Sequence, residues 1–217
     1  MRRQWVLFSL MGLLFVVFVW QSLSDPLNAL PFMPVPAEVV TAWEHLREGT
    51  VVAADLRAFG RLLSYAFLHA DIEHIMFNVA LLWVFAALVK DLLGHWWMLG
   101  IFAFTSITAS VCHVIFNPQS LAPLLGASGA VMGFEGAYLG MAARWSLPDP
   151  HVWPMARPVP PLHLAIFAGL AAMIDWTAIM EHSASNVAFG AHLGGFVGGM
   201  FLTSFIARMP STATPRR

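Results

Sequence analysis

The chain has 217 residues, of which 59% are hydrophobic and 11% are charged, and its formal net charge is −1. This composition is far more apolar than that of soluble globular domains, so it excludes an ordinary water-soluble domain and predicts an integral protein of the lipid bilayer. The near-zero net charge says nothing about partners, and the sequence has no basic cluster that would suggest binding to nucleic acid.

Six apolar stretches are long enough to cross about 30 Å of hydrocarbon as helices. We predict transmembrane helices over residues 4–24, 71–93, 96–117, 127–144, 161–180 and 188–208. Because these stretches leave little chain for a soluble domain, we predict one all-α membrane domain over residues 1–217, built as a six-helix bundle. A signal peptide is the alternative for the first stretch, since Arg2 and Arg3 precede it, but no Ala-x-Ala cleavage site follows.

The connections between these helices differ in character. Residues 25–60 form a long outer loop, and the helical spacing of Val39, Trp43 and Leu46 predicts an interfacial helix within it. The proline-rich connection 144–161 predicts an irregular cytoplasmic segment. The polar residues 210–217 predict a disordered cytoplasmic tail.

The distribution of basic residues predicts the orientation in the membrane. If the N-terminus is cytoplasmic, eight of the eleven basic residues fall on the cytoplasmic side: Arg2, Arg3, Lys90, Arg144, Arg157, Arg208, Arg216 and Arg217. The positive-inside rule therefore predicts that both termini are cytoplasmic. The lack of a transit peptide or a large cytosolic domain favours a bacterial cytoplasmic membrane.

Four polar side chains from three predicted helices fall at a similar depth below the outer surface. They are His74 and Asn78, Ser128, and His192. Each alone has a structural explanation, because a serine or histidine in a membrane helix commonly bonds to backbone or to a neighbour. Together they predict a functional cluster, since polar groups in a bilayer are costly unless they are partnered.

Glycine spacing predicts that the fourth and sixth helices approach closely. The pairs four residues apart are Gly129/Gly133, Gly136/Gly140, Gly190/Gly194, Gly194/Gly198 and Gly195/Gly199. This approach would bring the hydroxyl of Ser128 within hydrogen-bond reach of His192, which could act as its base. His74 and Asn78, one turn apart, could donate to a developing oxyanion together with backbone N–H groups at Ser128.

No carboxylate is evidently placed to orient His192, so the sequence predicts a Ser–His dyad and not a triad. We interpret Asp175 and His182 as solvated residues near the outer end of the fifth helix. The adjacent Cys112 and His113 cannot face each other from one helix, and Cys112 is interpreted as a core residue.

These motifs resemble those of rhomboid intramembrane serine proteases. Gly126-Ala127-Ser128-Gly129 matches the family's GxSG motif, and Ala191-His192-Leu193-Gly194-Gly195 matches its AHxxG motif. Phe67-Leu68-His69 followed by His74-Ile75-Met76-Phe77-Asn78 matches its second-helix HxxxN motif. The resemblance extends from about Arg61 to Gly199. It implies a rhomboid-like bundle in which Ser128 is the nucleophile and His192 the base.

The same resemblance implies that His74, Asn78 and the Ser128 backbone N–H bind the oxyanion, with Gly126 and Gly129 as supporting residues. Substrates would be transmembrane segments of other proteins, cut near the outer face. No metal or other cofactor would be needed.

Some positions depart from the family pattern or are unexplained by it. Gly60-Arg61 stands where the family has Trp-Arg, and Met132 replaces an aromatic residue that usually stacks on the catalytic histidine. Lys90 stands where an acidic residue is often found. Glu135, seven residues after Ser128, is interpreted as a protonated structural hydrogen-bonding group, with a role in water or proton supply as the alternative.

Other functions fit the sequence less well. It contains no His-Glu-x-x-His zinc motif and no Gly-x-Gly-Asp aspartyl motif. The main alternative is a catalytically silent rhomboid-fold binding or quality-control protein, although such proteins generally lack the serine or the histidine. A small transporter is a third alternative, but no paired inverted halves are evident.

Overall fold

A computed structural model describes residues 4–150, 160–180 and 187–215, and these residues are mainly helical. Their α-helices are α1 (Trp5–Leu23), α2 (Pro36–Glu48), α3 (Ala53–Ser64), α4 (Ile72–Leu93), α5 (His95–Phe116), α6 (Ser128–Arg144), α7 (Pro161–Met180) and α8 (Phe189–Phe201). A π-helical turn, Leu202–Ile206, continues α8, and short 3₁₀ turns cover Pro26–Asn28, Leu30–Phe32 and Tyr65–Phe67. His182 and most of the proline-rich connection lie outside the described residues.

Each of the six predicted transmembrane stretches contains a helix with closely similar bounds. By length and composition, four helices in the described ranges could span a membrane: α1, α4, α5, and α8 with its π-helical extension. Helix α6 has 17 residues, and the most apolar part of α7 covers Pro161–Thr177. The membrane character is therefore confirmed, while the count of six spans stays a prediction.

Helix α6 lies at the centre of the bundle, where most of its residues are buried. Its glycines pack against those of α8 through backbone atoms: Gly129 contacts Gly195, and Gly133 contacts Gly199. The two helices therefore run parallel. Helix α5 runs the opposite way, because Gly129 contacts Ala109 of α5 whereas Gly133, one turn later, contacts Thr105. The predicted contact between α6 and α8 through small residues is confirmed.

The segment between α1 and α4 is more ordered than the sequence predicted. The expected helix is present as α2, but the amphipathic α3 was not predicted, although Ala58 and Leu62 mark its buried face. An ion pair between Arg61 and Glu38 joins α3 to α2, and Arg61 also donates to the Pro31 carbonyl. Arg61, which the family pattern singled out, therefore has a structural role here.

The prediction of a disordered tail is wrong for the part that is described. Residues Thr214–Pro215 form strand β2, which pairs antiparallel with strand β1, Trp145–Ser146. Arg144 donates to the carbonyls of Thr203 and Ala207, so it fastens the end of α6 to the segment that leads to the tail. The polar side chains gave no sign of this order because it depends on backbone pairing with a distant segment.

Candidate active site

Ser128 begins α6, and the turn before it is fixed by backbone contacts. Gly126 has a φ of +115°, a region that L side chains rarely adopt, which explains the glycine at this position. The N–H of Gly126 donates to the Tyr65 carbonyl over 3.1 Å, and the N–H of Leu124 donates to the Pro34 carbonyl over 3.0 Å. The segment between α1 and α4 therefore holds the turn that precedes Ser128.

His69 supplies a third contact to the same turn. Its Nε2 accepts a hydrogen bond from the Ala127 N–H over 3.4 Å, and its ring is fully buried. Burial, followed by the neighbouring His74, lowers the pKa of His69 to about 4, so the ring is neutral and available as an acceptor at neutral pH. The side chain of Gln21 in α1 fixes the His69 backbone through two hydrogen bonds of 2.9 and 3.1 Å.

His74 and Asn78 approach the serine from the first turns of α4. Asp71 caps this helix by accepting from the His74 N–H over 2.8 Å. A Cβ atom on Gly126 would lie 2.7 Å from His74 Nε2 and 3.8 Å from Ser128 Oγ, so the glycine occupies the narrow space between the two side chains. Asn78, one turn further along, is buried, and its Nδ2 donor has no hydrogen-bond partner among the described residues.

His192 reaches the site from the first turn of α8. A Cβ on Gly129 would be 3.3 Å from the Ala191 carbonyl oxygen, so the residues next to Ser128 and His192 are in contact. The structure thus brings all four predicted side chains to one end of the bundle, on the N-terminal ends of α4, α6 and α8.

The interpretation of Asp175 as a solvated residue is wrong. Asp175 is 7% exposed, and its Oδ2 lies 3.1 Å from Nδ1 of His192. A carboxylate is therefore placed to orient His192, contrary to the prediction that none is. The missed signal is the spacing of the buried face of α7, in which Asp175 continues the series Ala165, Ala168 and Ala172.

The surroundings of His192 also differ from the family pattern. The ring of Phe189 lies edge-on to His192, with centroids 6.4 Å apart. Met132 packs with Ala168, Ala172 and Phe196 in a small apolar cluster. Phe189, from the same helix as His192, thus supplies an aromatic neighbour that the sequence did not indicate.

Glu135 lies deeper in α6 and is 1% exposed. Its Oε2 has no hydrogen-bond partner within the described ranges, and its carboxyl lies within electrostatic range of Asp175. Both interpretations of Glu135 stay open. In the part of the chain that the structure describes, no group of three or more His, Cys, Asp or Glu side chains is arranged to hold a metal ion.

Comparison with known families identifies the family of this protein. The family model of the rhomboid domain matches residues 57–209, well over half of the chain. The chain belongs to the rhomboid family. Since this rhomboid protein also contains long apolar helices, it is an integral membrane protein.

Two relatives from Bacillus subtilis (strain 168) are named as rhomboid proteases. "Putative rhomboid protease YdcA" is 30% identical over 176 residues, which cover 81% of this chain and 80% of the relative. "Rhomboid protease GluP" is 28% identical over 157 residues, which cover 72% of this chain and 28% of the relative. The family predicted from the motifs is confirmed.

Proposed function

We propose that this rhomboid protein is an intramembrane serine endopeptidase that cleaves transmembrane segments of other membrane proteins. The observation that carries the proposal is the convergence of Ser128, His192, His74 and Asn78 at one end of the bundle. Relatives named as rhomboid proteases support the same reaction class.

In the proposed first step, the Ser128 hydroxyl attacks the carbonyl carbon of the scissile peptide bond. His192 Nε2 takes the hydroxyl proton as the Oγ–C bond forms, because an unassisted serine is almost entirely un-ionised. The same nitrogen then returns the proton to the leaving amine, so the C–N bond breaks and an acyl-enzyme remains. His192 next takes a proton from water as the water oxygen bonds to the acyl carbon. It returns this proton to Ser128 Oγ as the Oγ–C bond breaks, which releases the second product and restores the enzyme.

The negative charge that develops on the carbonyl oxygen needs donors fixed in advance. We assign this role to the Nδ2 group of Asn78, the ring of His74 and the backbone N–H of Ser128 in the first turn of α6. The lack of a partner for Asn78 Nδ2 within the described residues supports this assignment, since a buried donor left unpaired is costly unless a ligand uses it. Loss of one such donor typically removes about 3–4 kcal/mol of transition-state stabilisation.

The proposed location follows from the charge distribution. Both termini would be cytoplasmic in a bacterial inner membrane, with the site near the outer face. No metal or cofactor enters the proposed steps.

Cleavage of a model transmembrane substrate by the purified full-length protein in detergent tests the proposal. We expect the wild type to cleave the substrate and to react with a fluorophosphonate, and we expect Ser128→Ala and His192→Ala to do neither. Asn78→Ala should reduce kcat by about 10²–10³-fold. Cleavage that survives in both Ser128→Ala and His192→Ala would contradict the mechanism, and a folded wild type that neither cleaves nor labels would favour the catalytically silent alternative.

A further inference from the structure

The side chain of Asp175 is placed at the one ring nitrogen of His192 that the proposed reaction does not use. Its Oδ2 lies 3.1 Å from Nδ1, and the two side chains are 10% and 17% exposed. We propose that Asp175 is a positioning residue that converts the Ser–His dyad into a Ser–His–Asp triad. This inference rests on the proposed serine protease function.

Helix packing fixes the position of the carboxylate. Ala168 and Ala172, on the same face of α7 as Asp175, pack with Met132 of α6 and Phe196 of α8. Small side chains on this face let α7 lie close to both helices, so the short side chain of Asp175 reaches His192 across the contact. The pairing of Asp175 with His192 therefore joins α7 to α8.

The chemistry of the carboxylate determines which ring nitrogen of His192 carries the hydrogen. An ionised carboxylate only accepts hydrogen bonds, so it selects the imidazole tautomer in which Nδ1 carries the hydrogen and donates it to Asp175. Nε2 is then left with its lone pair and can take the proton of Ser128. By accepting from Nδ1, the carboxylate also stabilises the imidazolium that exists between proton uptake and proton return.

A structural role alone does not require this geometry. A buried carboxylate could be paired by any donor, whereas Oδ2 of Asp175 lies at the nitrogen that fixes the tautomer of His192. Asp55 provides a comparison, because it is also a buried aspartate and lies 3.1 Å from Nδ1 of a histidine, His45, in the segment between α1 and α4. The two residues can therefore be separated by experiment.

Steady-state cleavage by Asp175→Asn, with kcat and KM measured separately, tests the inference. The asparagine amide donates to Nδ1 and so favours the wrong tautomer. We expect kcat to fall by at least about tenfold, with the roughly 10⁴-fold loss known for the same change in a serine-protease triad as the upper bound. KM should stay nearly constant, and Asp175→Glu should recover part of kcat.

Asp55→Asn is the matched control, since it makes the same change in a second buried aspartate paired with a histidine and leaves His192 unchanged; its kcat should stay near that of the wild type. A wild-type kcat in Asp175→Asn would overturn the inference, as would an equal loss in Asp55→Asn. A failure of the proposed function is distinguishable, because the wild type would then show no cleavage or His192→Ala would retain it.

A measurement on the wild type covers the case in which Asp175→Asn does not fold. The ¹⁵N shifts of the histidine rings report which nitrogen carries hydrogen, and the signal missing in His192→Gln identifies His192. We expect a protonated Nδ1 at pH 8. An unprotonated Nδ1 would overturn the inference whatever the behaviour of the variants.

Discussion

At the scale of single residues, the site depends on side chains and glycines that lie far apart in sequence. Gly126 separates the ring of His74 from Ser128, and its backbone conformation excludes most other residues. His69 holds the next residue, Ala127, across 58 positions of sequence. These two residues position the serine.

Gly126→Ala should abolish most of the cleavage activity. The added Cβ would lie 2.7 Å from the ring of His74 and would also strain a backbone with a φ of +115°. We expect kcat to fall by about 10²–10³-fold, the loss that follows removal of an oxyanion donor. Gly49→Ala is the control in the same cleavage assay, since Gly49 also has a positive φ, +74°, but nothing lies within 4 Å of its Cβ position. Equal activity losses in the two variants would show that backbone strain, and not the contact with His74, causes the loss.

His69 should make the protein less stable in acid. Its pKa is about 4 in the folded protein against an ordinary value of 6.5, so below pH 6.5 the unfolded chain takes up a proton that the folded protein does not. Stability should therefore fall as the pH decreases from about 6.5 to about 4, by on the order of 3 kcal/mol, and His69 should contribute nothing to this dependence above that range.

Thermal unfolding in detergent at pH 7.5 and pH 5 measures this effect. The decrease in midpoint between the two pH values should be smaller in His69→Gln, whose amide oxygen can still accept from Ala127 but does not titrate. His163→Gln, which removes an exposed histidine, should keep the wild-type decrease. If His69→Gln and the wild type lose equal stability, the assignment of acid sensitivity to His69 is wrong.

The sequence singled out Ser128, His192, His74 and Asn78 as candidate site residues, because each lies in a short motif whose spacing reflects one helix or one turn. It did not reveal the contacts of Asp175, Tyr65 or His69. A single aspartate near a helix end is usually solvated, and only its register with Ala168 and Ala172 indicated burial. The contacts of Tyr65 and His69 join distant segments, which no local spacing reports.

At the scale of helices, the contact between α6 and α8 is made by backbone atoms. A Cβ on Gly195 or Gly199 would collide with the carbonyl of Gly129 or Gly133. Gly→Ala changes here should therefore overpack the interface, whereas at exposed helical sites they are neutral or stabilising.

Gly199→Ala should lower the free energy of unfolding by about 1–3 kcal/mol. Gly100→Ala is the matched control, because Gly100 is an exposed helical glycine of α5 with nothing within 4 Å of its Cβ position. Thermal unfolding in detergent should give a lower midpoint for Gly199→Ala and an unchanged or higher one for Gly100→Ala. Equal unfolding midpoints in the two variants would show that α8 can move away from α6 without a loss of stability.

The long apolar helices were the elements that sequence predicted best, since hydrophobic length alone defines them. Helix α3 was missed although seven of its twelve residues are apolar, because Asp55, Arg57, Gly60 and Arg61 interrupt them. Its position depends on ion pairing with α2 and on Ser110 of α5, which donates to the Leu62 carbonyl. Such tertiary contacts are not visible in a pattern of hydropathy.

At the scale of the whole molecule, the predicted orientation can be tested with single cysteines. In a Cys112→Ala background, Glu48→Cys in α2 should react with a membrane-impermeant maleimide in intact cells or spheroplasts. Thr212→Cys, in the tail, should react only after the membrane is permeabilised, because the positive-inside rule places it in the cytoplasm. Both positions are exposed, so burial in the protein does not limit the reaction of either cysteine with the maleimide. Labelling with the opposite sidedness would reverse the orientation.

The backbone contact between α6 and α8 has a consequence for how the protein tolerates mutation. Side-chain contacts can be repaired by a second substitution that restores volume, but a contact between peptide groups has no side chain to adjust. The separation between the helix that carries Ser128 and the helix that carries His192 is therefore set by the thickness of two polypeptide backbones. Substitutions elsewhere in the bundle can change its stability while this separation stays the same.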